Sequence, residues 1–249
     1  MGIAPHDLVL SLRGLADAPI RRGFLREALQ DADPETLAMW MGYLVLHSID
    51  EDIRLAWLEL TRILLSPDSP VPKTVAAVME HRLQAHPACA VLAFLTTNPS
   101  ERRGPEVIGD QYALEDVASG LRKARARQRS RDTLLLLSAD PDPAVIRILL
   151  QNPLVGEIEA IRVASRRPQV AATFREVLDS ARFGVRESVQ AALVLNPWCP
   201  VRQALAMLPL LSRAHLEEVS ESATLDQRVR AAAGNLRTIR GRAWARPKA

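Results

Sequence analysis

Three ten-residue segments of this chain align without gaps and close on the same dipeptide: Ala90–Pro99 (AVLAFLTTNP), Ala144–Pro153 (AVIRILLQNP) and Ser188–Pro197 (SVQAALVLNP). Their asparagines, Asn98, Asn152 and Asn196, lie 54 and 44 residues apart. Val91/Phe94/Leu95, Val145/Ile148/Leu149 and Val189/Ala192/Leu193 mark one i, i+3, i+4 helical face in each copy. A proline keeps the residue before it out of the α region, so each helix is expected to stop at its Asn. That Asn can then cap the next helix, with proline at its first position. All three asparagines are read as buried links between neighbouring loops rather than ligand-reading side chains.

Correspondence between the last two copies runs further. Ala160 and Ile161 fall opposite Ala204 and Leu205 at an offset of 44, Phe174–Ala181 opposite Leu216–Ala223 at 42, and Val185-Arg186 opposite Val229-Arg230 at 44. Each unit of about 44 residues therefore holds three short helices, with a two-residue gap in one loop. The copy starting near residue 87 is degenerate, with about ten extra residues between 100 and 135.

The rest of the chain fits a wholly helical fold. Asp33-Pro34-Glu35 opens a helix with a capping Asp and a proline at its first position, followed by the stripe Leu37, Trp40, Met41, Leu44 and Val45. Asp50 precedes a second stripe, Ile53, Leu55, Ala56, Leu60, Ile63 and Leu64, and Ser66–Pro70 then breaks the chain. Strand alternation is nearly absent, and the 17 prolines serve as helix starters and stoppers.

Leu149-Leu150-Gln151-Asn152-Pro153 is followed by a short helix and the turn Ala164-Ser165-Arg166-Arg167-Pro168; Ala192–Pro200 is followed by a leucine-rich helix from Leu205 to Leu211. This phrasing resembles bacterial α-solenoids of the HEAT-like and leucine-rich-repeat-variant kind, over roughly residues 87–236 and best over 141–236. The resemblance implies an α-α superhelix of HEAT/ARM-like repeats with a concave groove. Its motifs are packing motifs, it carries no catalytic residue across, and such proteins are mostly binding modules. Trp198 departs from it, standing where a small or polar residue is expected. Residues 1–86 are then divergent first helices, and residues 87–249 the repeat array with its basic insertion at 100–135 and a basic C-terminal tail.

Charge is unevenly spread. Residues 1–100 hold 8 Lys+Arg against 12 Asp+Glu, and residues 101–249 hold 24 against 17. Arg122, Lys123, Arg125, Arg127, Arg129 and Arg131 put six cations in ten residues. At 100° per residue they point all round a helix, so the segment is expected to be buried on no face and to protrude, end a helix early, or lie on an anionic partner. With Arg166 and Arg167 they form a candidate anion- or nucleic-acid-binding surface, since guanidinium groups match phosphate; the alternative is an ordinary solvated insertion. Arg237, Arg240, Arg242, Arg246 and Lys248 follow the last acid, Asp226, in a tail expected to be unstructured.

Other candidates are weaker. Glu80, His81, His86 and Cys89 are the one His/Cys cluster, but an i, i+5 histidine spacing does not put both rings on one helix face, so no metal is expected. No cofactor is expected either. Asp50-Glu51-Asp52 near Trp40, Tyr43 and Trp57 invites comparison with HEAT-like DNA glycosylases, which pair an Asp with aromatics on a solenoid. Here those aromatics lie in the acidic half, whereas base excision needs them in a basic groove. First-turn charge complementing the helix dipole explains the acids. Trp198 is a candidate anchor for a protein partner, tryptophan being enriched at interface hot spots.

Two distant cysteines suggest a reducing compartment, no apolar run of membrane-spanning length exists, and the N-terminus lacks signal-peptide features, so the expectation is a cytoplasmic protein. Aromatics are only 4% of residues, which is thin material for a stacking pocket. The sequence thus favours a non-enzymatic scaffold binding another protein through a groove or rim. The alternative is a nucleic-acid-binding solenoid using Arg122–Arg131; a weaker third is an adaptor laying the same patch on anionic lipid.

Overall fold

A computed structural model describes residues 3–72, 75, 87–97 and 117–244; for 87–89 and 241–244 only the backbone is described. The described residues contain helices and no strands. Asn98, Pro99, Glu80, His81, His86, Arg246, Lys248, the Cys89 and Arg242 side chains and residues 100–116 of the basic insertion lie outside the description.

The helices are α1 (Pro5–Gly14), α2 (Ala18–Asp31), α3 (Pro34–His47), α4 (Glu51–Leu64), the 3₁₀ segment η1 (Pro87–Leu95), α5 (Ser119–Arg125), α6 (Arg131–Leu137), α7 (Pro143–Gln151), α8 (Glu157–Ser165), α9 (Ala171–Asp179), α10 (Glu187–Val194), α11 (Val201–Met207), the 3₁₀ turn η2 (Leu208–Leu210), α12 (Arg213–Glu221) and α13 (Gln227–Trp244). Local chemistry sets many of their starts. The Asp33 carboxylate accepts from the Glu35 and Thr36 N–H groups, and the Asp50 carboxylate from those of Asp52 and Ile53. Asp142 caps α7 through the Ala144 N–H, and Pro34 and Pro143 sit in first turns, where a missing N–H costs nothing.

The chain forms two compact units. One combines residues 1–101 with 201–249; the other is 102–200. In the first, α4 is buried nearly all round, including Glu59, Thr61 and Arg62, and a helix of that kind needs neighbours on every side. It has them: α1, α2 and α3 pack against it from the N-terminal part, α11 and η2 from the C-terminal part. Trp57 Nε1–H donates to the Ala206 carbonyl at 2.8 Å, and the Arg202 guanidinium donates to the Leu64 and Phe94 carbonyls at 2.6 and 3.1 Å. A linear stack joins sequence neighbours; this unit joins segments some 140 residues apart.

In the 102–200 unit, α7 packs on α5, α6 and α9, and α8 on α9 and α10. The buried face of α7 is Val145, Ile146, Leu149 and Leu150, and α10 buries Val189, Gln190, Ala191, Leu193 and Val194. Ile148 and Ala192, expected on the core stripe, are only half-buried; the stripe is rotated toward Ile146 and Ala191, in α7 because neighbours press from more than one side. In η1, Val91, Leu92, Phe94 and Leu95 are buried, as three residues per turn align 91 with 94 and 92 with 95.

Candidate functional site

Asn152 and Asn196 make the same set of hydrogen bonds. Asn152 Nδ2–H donates to the Ala126 and Gln128 carbonyls, both at 2.9 Å, and its Oδ1 accepts from the Leu154 N–H. Asn196 Nδ2–H donates to the Ala164 and Arg166 carbonyls at 2.9 and 2.7 Å, and its Oδ1 accepts from the Trp198 N–H. Both side chains are buried, at 5% and 1% exposure, and tie carbonyls at or beyond the end of an earlier helix, groups the helix itself leaves without partners. Neither Asn caps the following helix. Pro153 and Pro197 enter a turn, α8 and α11 begin only at Glu157 and Val201, and the Asn oxygen stabilises the turn by bonding two residues on.

Those turns present Leu154 and Trp198 at matching positions. Leu154 is exposed and Trp198 half-buried, while the neighbouring Cys199 is in the core, where burial pushes its thiol pKa well up and leaves it unreactive. The Arg182 guanidinium donates to the Asn152 and Val155 carbonyls at 2.8 and 3.0 Å, and Glu157 accepts from Ser188 Oγ. These bonds lay the 182–188 stretch alongside 152–158. On these paired stretches Ile158 at 72% exposure, Val185 at 42% and Leu154 at 39% are exposed apolar side chains. The sequence marked Trp198 and missed the other three; apolar residues in two turns and at the first turn of α8, with no periodicity binding them to a core, were the available signal.

The basic segment is partly consumed internally. Its helix does end early, at Arg125. Arg122, however, is buried against the fully buried Asp140, with Nε 3.1 Å from Oδ2, which corrects the expectation that no face of the segment is buried. Burial raises the Asp140 pKa above the ordinary carboxylate value even though Arg122 opposes it. Lys123 lies 3.5 Å from Asp142, whose carboxylate also accepts from Ser119 Oγ at 2.6 Å. Burial pushes the Asp142 pKa up, but Ser119, the Ala144 N–H and Lys123 together hold it below the ordinary value. Arg125 is half-buried; Arg127, Arg129 and Arg131 are exposed, Arg127 donating to the Lys123 carbonyl. Arg166 is half-buried, and the exposed Arg167 donates to the Leu195 carbonyl at 2.9 Å.

The acidic N-terminal candidates resolve into structure. Asp50 is the α4 cap, Asp52 pairs with Arg13 at 3.2 Å, and Trp40 and Trp57 are core, their indole N–H groups donating to the Ile3 and Ala206 carbonyls. Tyr43 stacks on His47 at 4.6 Å. The C-terminal segment is not a loose tail through Trp244: it is α13, Arg237 pairs with Glu217 at 2.8 Å, and Arg240 is buried. Among the described residues no cluster of three or more His, Cys, Asp or Glu could hold a metal ion, and no helix is long and apolar enough to cross a membrane. Comparison with protein families, curated proteins and solved structures finds no match to this chain.

Proposed function

We propose that the chain is a non-enzymatic repeat scaffold of the HEAT-like kind that binds a protein partner through the loop rim of its 102–200 unit. The observation that carries this is the exposure of the apolar Leu154, Ile158 and Val185, on stretches held by the Asn152 turn and the Arg182 bonds. Exposed aliphatic side chains on hydrogen-bonded turns and a helix start suit protein recognition. The repeat reading draws support from α7, α8 and α9, whose first residues precede those of α10, α11 and α12 by 44, 44 and 42 residues. Two cysteines 110 residues apart in sequence suit action in the cytoplasm.

A second reading rests on Arg127, Arg129 and Arg131, three exposed cations in five residues, as a phosphate-contacting strip. The readings separate by affinity capture with the full chain, with and without nuclease. On the first, Ile158→Glu abolishes capture of the main protein partner, whereas a triple Arg127/Arg129/Arg131→Glu variant retains it after nuclease treatment. On the second, the triple variant loses a nucleic acid whose binding to the wild type weakens steeply with salt, and Ile158→Glu changes nothing. Unchanged helical circular dichroism in both variants establishes that folding is intact.

A further inference from the structure

Helices α6, α9 and α12 each bury an apolar pair at i and i+3: Leu134 and Leu137, Phe174 and Val177, Leu216 and Val219. The two residues between them differ. They are Arg175 and Glu176 in α9 and Glu217 and Glu218 in α12, but Leu135 and Leu136 in α6, at 44% and 52% exposure. Leu121, on the neighbouring α5, is a third exposed leucine. The geometry points to this face of α6 as a docking site for an amphipathic helix of a protein partner, its apolar stripe on the leucines and its acidic residues on Arg127, Arg129 and Arg131.

The same unit contains an example of a helix covering that place. On α9 it is α7 that packs there, with Arg147 Nε–H donating to the Glu176 carboxylate at 2.7 Å. Glu176 is half-buried as a result, whereas Leu136, at the matching position of α6, is exposed. A leucine where the sister helices carry an acid puts apolar surface in water, which is unfavourable until something covers it. A helix set on α6 as α7 is set on α9 covers Leu135 and Leu136 with apolar side chains of its own, the usual anchoring of a helix in an apolar groove.

Charge complementarity sets the rest of the partner's chemistry. Arg127 and Arg129 lie between α5 and α6, Arg131 opens α6, and all three are exposed. Among the described residues no carboxylate pairs with them; Arg127 donates to the Lys123 carbonyl instead. Asp132 is the one acid between residues 119 and 139. The start of α6 is therefore cationic and its end apolar, which an acidic amphipathic helix matches at both ends. Nucleic acid would engage the arginines and leave the leucines in water. A bilayer would take both, but these leucines lie along a helix whose other side is sunk in its unit, a place that fits a rod better than a plane. The site shares no residue with Leu154, Ile158 and Val185 and does not depend on their role.

Fluorescence anisotropy with the full chain tests this, using a labelled synthetic peptide of about four helical turns with leucine at i, i+3, i+4 and i+7 and glutamate elsewhere. Saturable binding is expected, at least tenfold tighter than that of the same peptide with lysine for glutamate or with its sequence scrambled. Leu135→Arg with Leu136→Glu, which gives α6 the pair found in α9, should weaken binding tenfold or more. Arg129→Glu with Arg131→Glu should weaken it likewise and strengthen binding of the lysine peptide. Ile158→Glu should leave it unchanged, so this site and the Ile158 surface can fail separately. Circular dichroism and thermal melts verify the folding of each variant. No binding at millimolar peptide overturns the proposal. So does equal binding of the lysine or scrambled peptide, unchanged binding by the leucine variant, or loss of binding in Ile158→Glu. Tighter binding of phosphatidylserine vesicles or single-stranded DNA than of the peptide also overturns it, in favour of a lipid or nucleic-acid surface.

Discussion

At the scale of single residues, the buried asparagines are the most demanding positions. Each Asn supplies two donors to carbonyls of an earlier helix end and one acceptor to its own turn. Replacing Asn196 by Ala leaves buried carbonyls without partners, at a cost of about 2–4 kcal/mol. Replacement by Asp discriminates between the two roles. Aspartate keeps the acceptor that organises the turn but brings a negative charge against two carbonyl oxygens. If knitting the loops dominates, Asn196→Asp destabilises at least as much as Asn196→Ala in urea denaturation at neutral pH. If the turn dominates, Asp is nearly tolerated. That these asparagines are buried links was legible from the recurring Asn-Pro pair, because a proline dictates the conformation before it. Which carbonyls they reach was not, since those lie 24 to 32 residues earlier.

At the scale of elements, the start of α7 shows how capping and charge combine. Asp142 caps the helix, accepts from Ser119 and lies beside Lys123. Its folded pKa is depressed, so the unfolded chain binds the proton more readily. Its contribution is fully present above the ordinary value of 3.8 and is lost as pH falls through the depressed folded value. Asp140, with its pKa raised by burial, runs the other way: stability declines as pH rises from 3.8 through its raised value. Asp142→Ala should cost about 1 kcal/mol at neutral pH through the lost cap. In thermal melts across the acid range it should also flatten the acid-side loss or reverse its slope, since the Asp140 effect remains. A variant whose acid limb matches the wild type would rule Asp142 out as its source. The caps at Asp33 and Asp50 could be read directly from sequence, being local chemistry. The 3₁₀ character of η1 and the rotated stripe of α7 could not, because neighbours choose which residues of an apolar helix face inward.

At the scale of the molecule, the C-terminal helix is a structural part of its unit. Val229, Ala232, Ala233, Leu236 and Arg240 of α13 are buried, and the helix packs against α11, α12, η1 and η2. Deleting residues 227–249 strips the cover from all four, so the truncated chain should be insoluble or lose cooperative unfolding. A soluble truncation with an unchanged melting temperature would refute this. Burying those four apolar side chains is worth several kcal/mol, a large share of the stability an ordinary domain has. The basic residues after Asp226 resembled a loose tail because charge density alone says nothing about packing. The apolar spacing Val229, Ala232, Ala233, Leu236 carried the opposite signal.

The sequence by itself determined what depends on near neighbours: an all-helical chain, the helix stops before proline, the Asp caps, and the apolar residues that had to find cover. Only the tertiary structure decided the fate of the arginines and the partners of α4. Arg122 meets a carboxylate 18 residues on, and Arg240 a hydroxyl 192 residues back. A guanidinium becomes a surface cation, half of a buried pair or a buried hydrogen-bond donor according to what packs around it. No local pattern encodes that choice, because the competing free energies of solvation and pairing are settled only when distant segments exclude water.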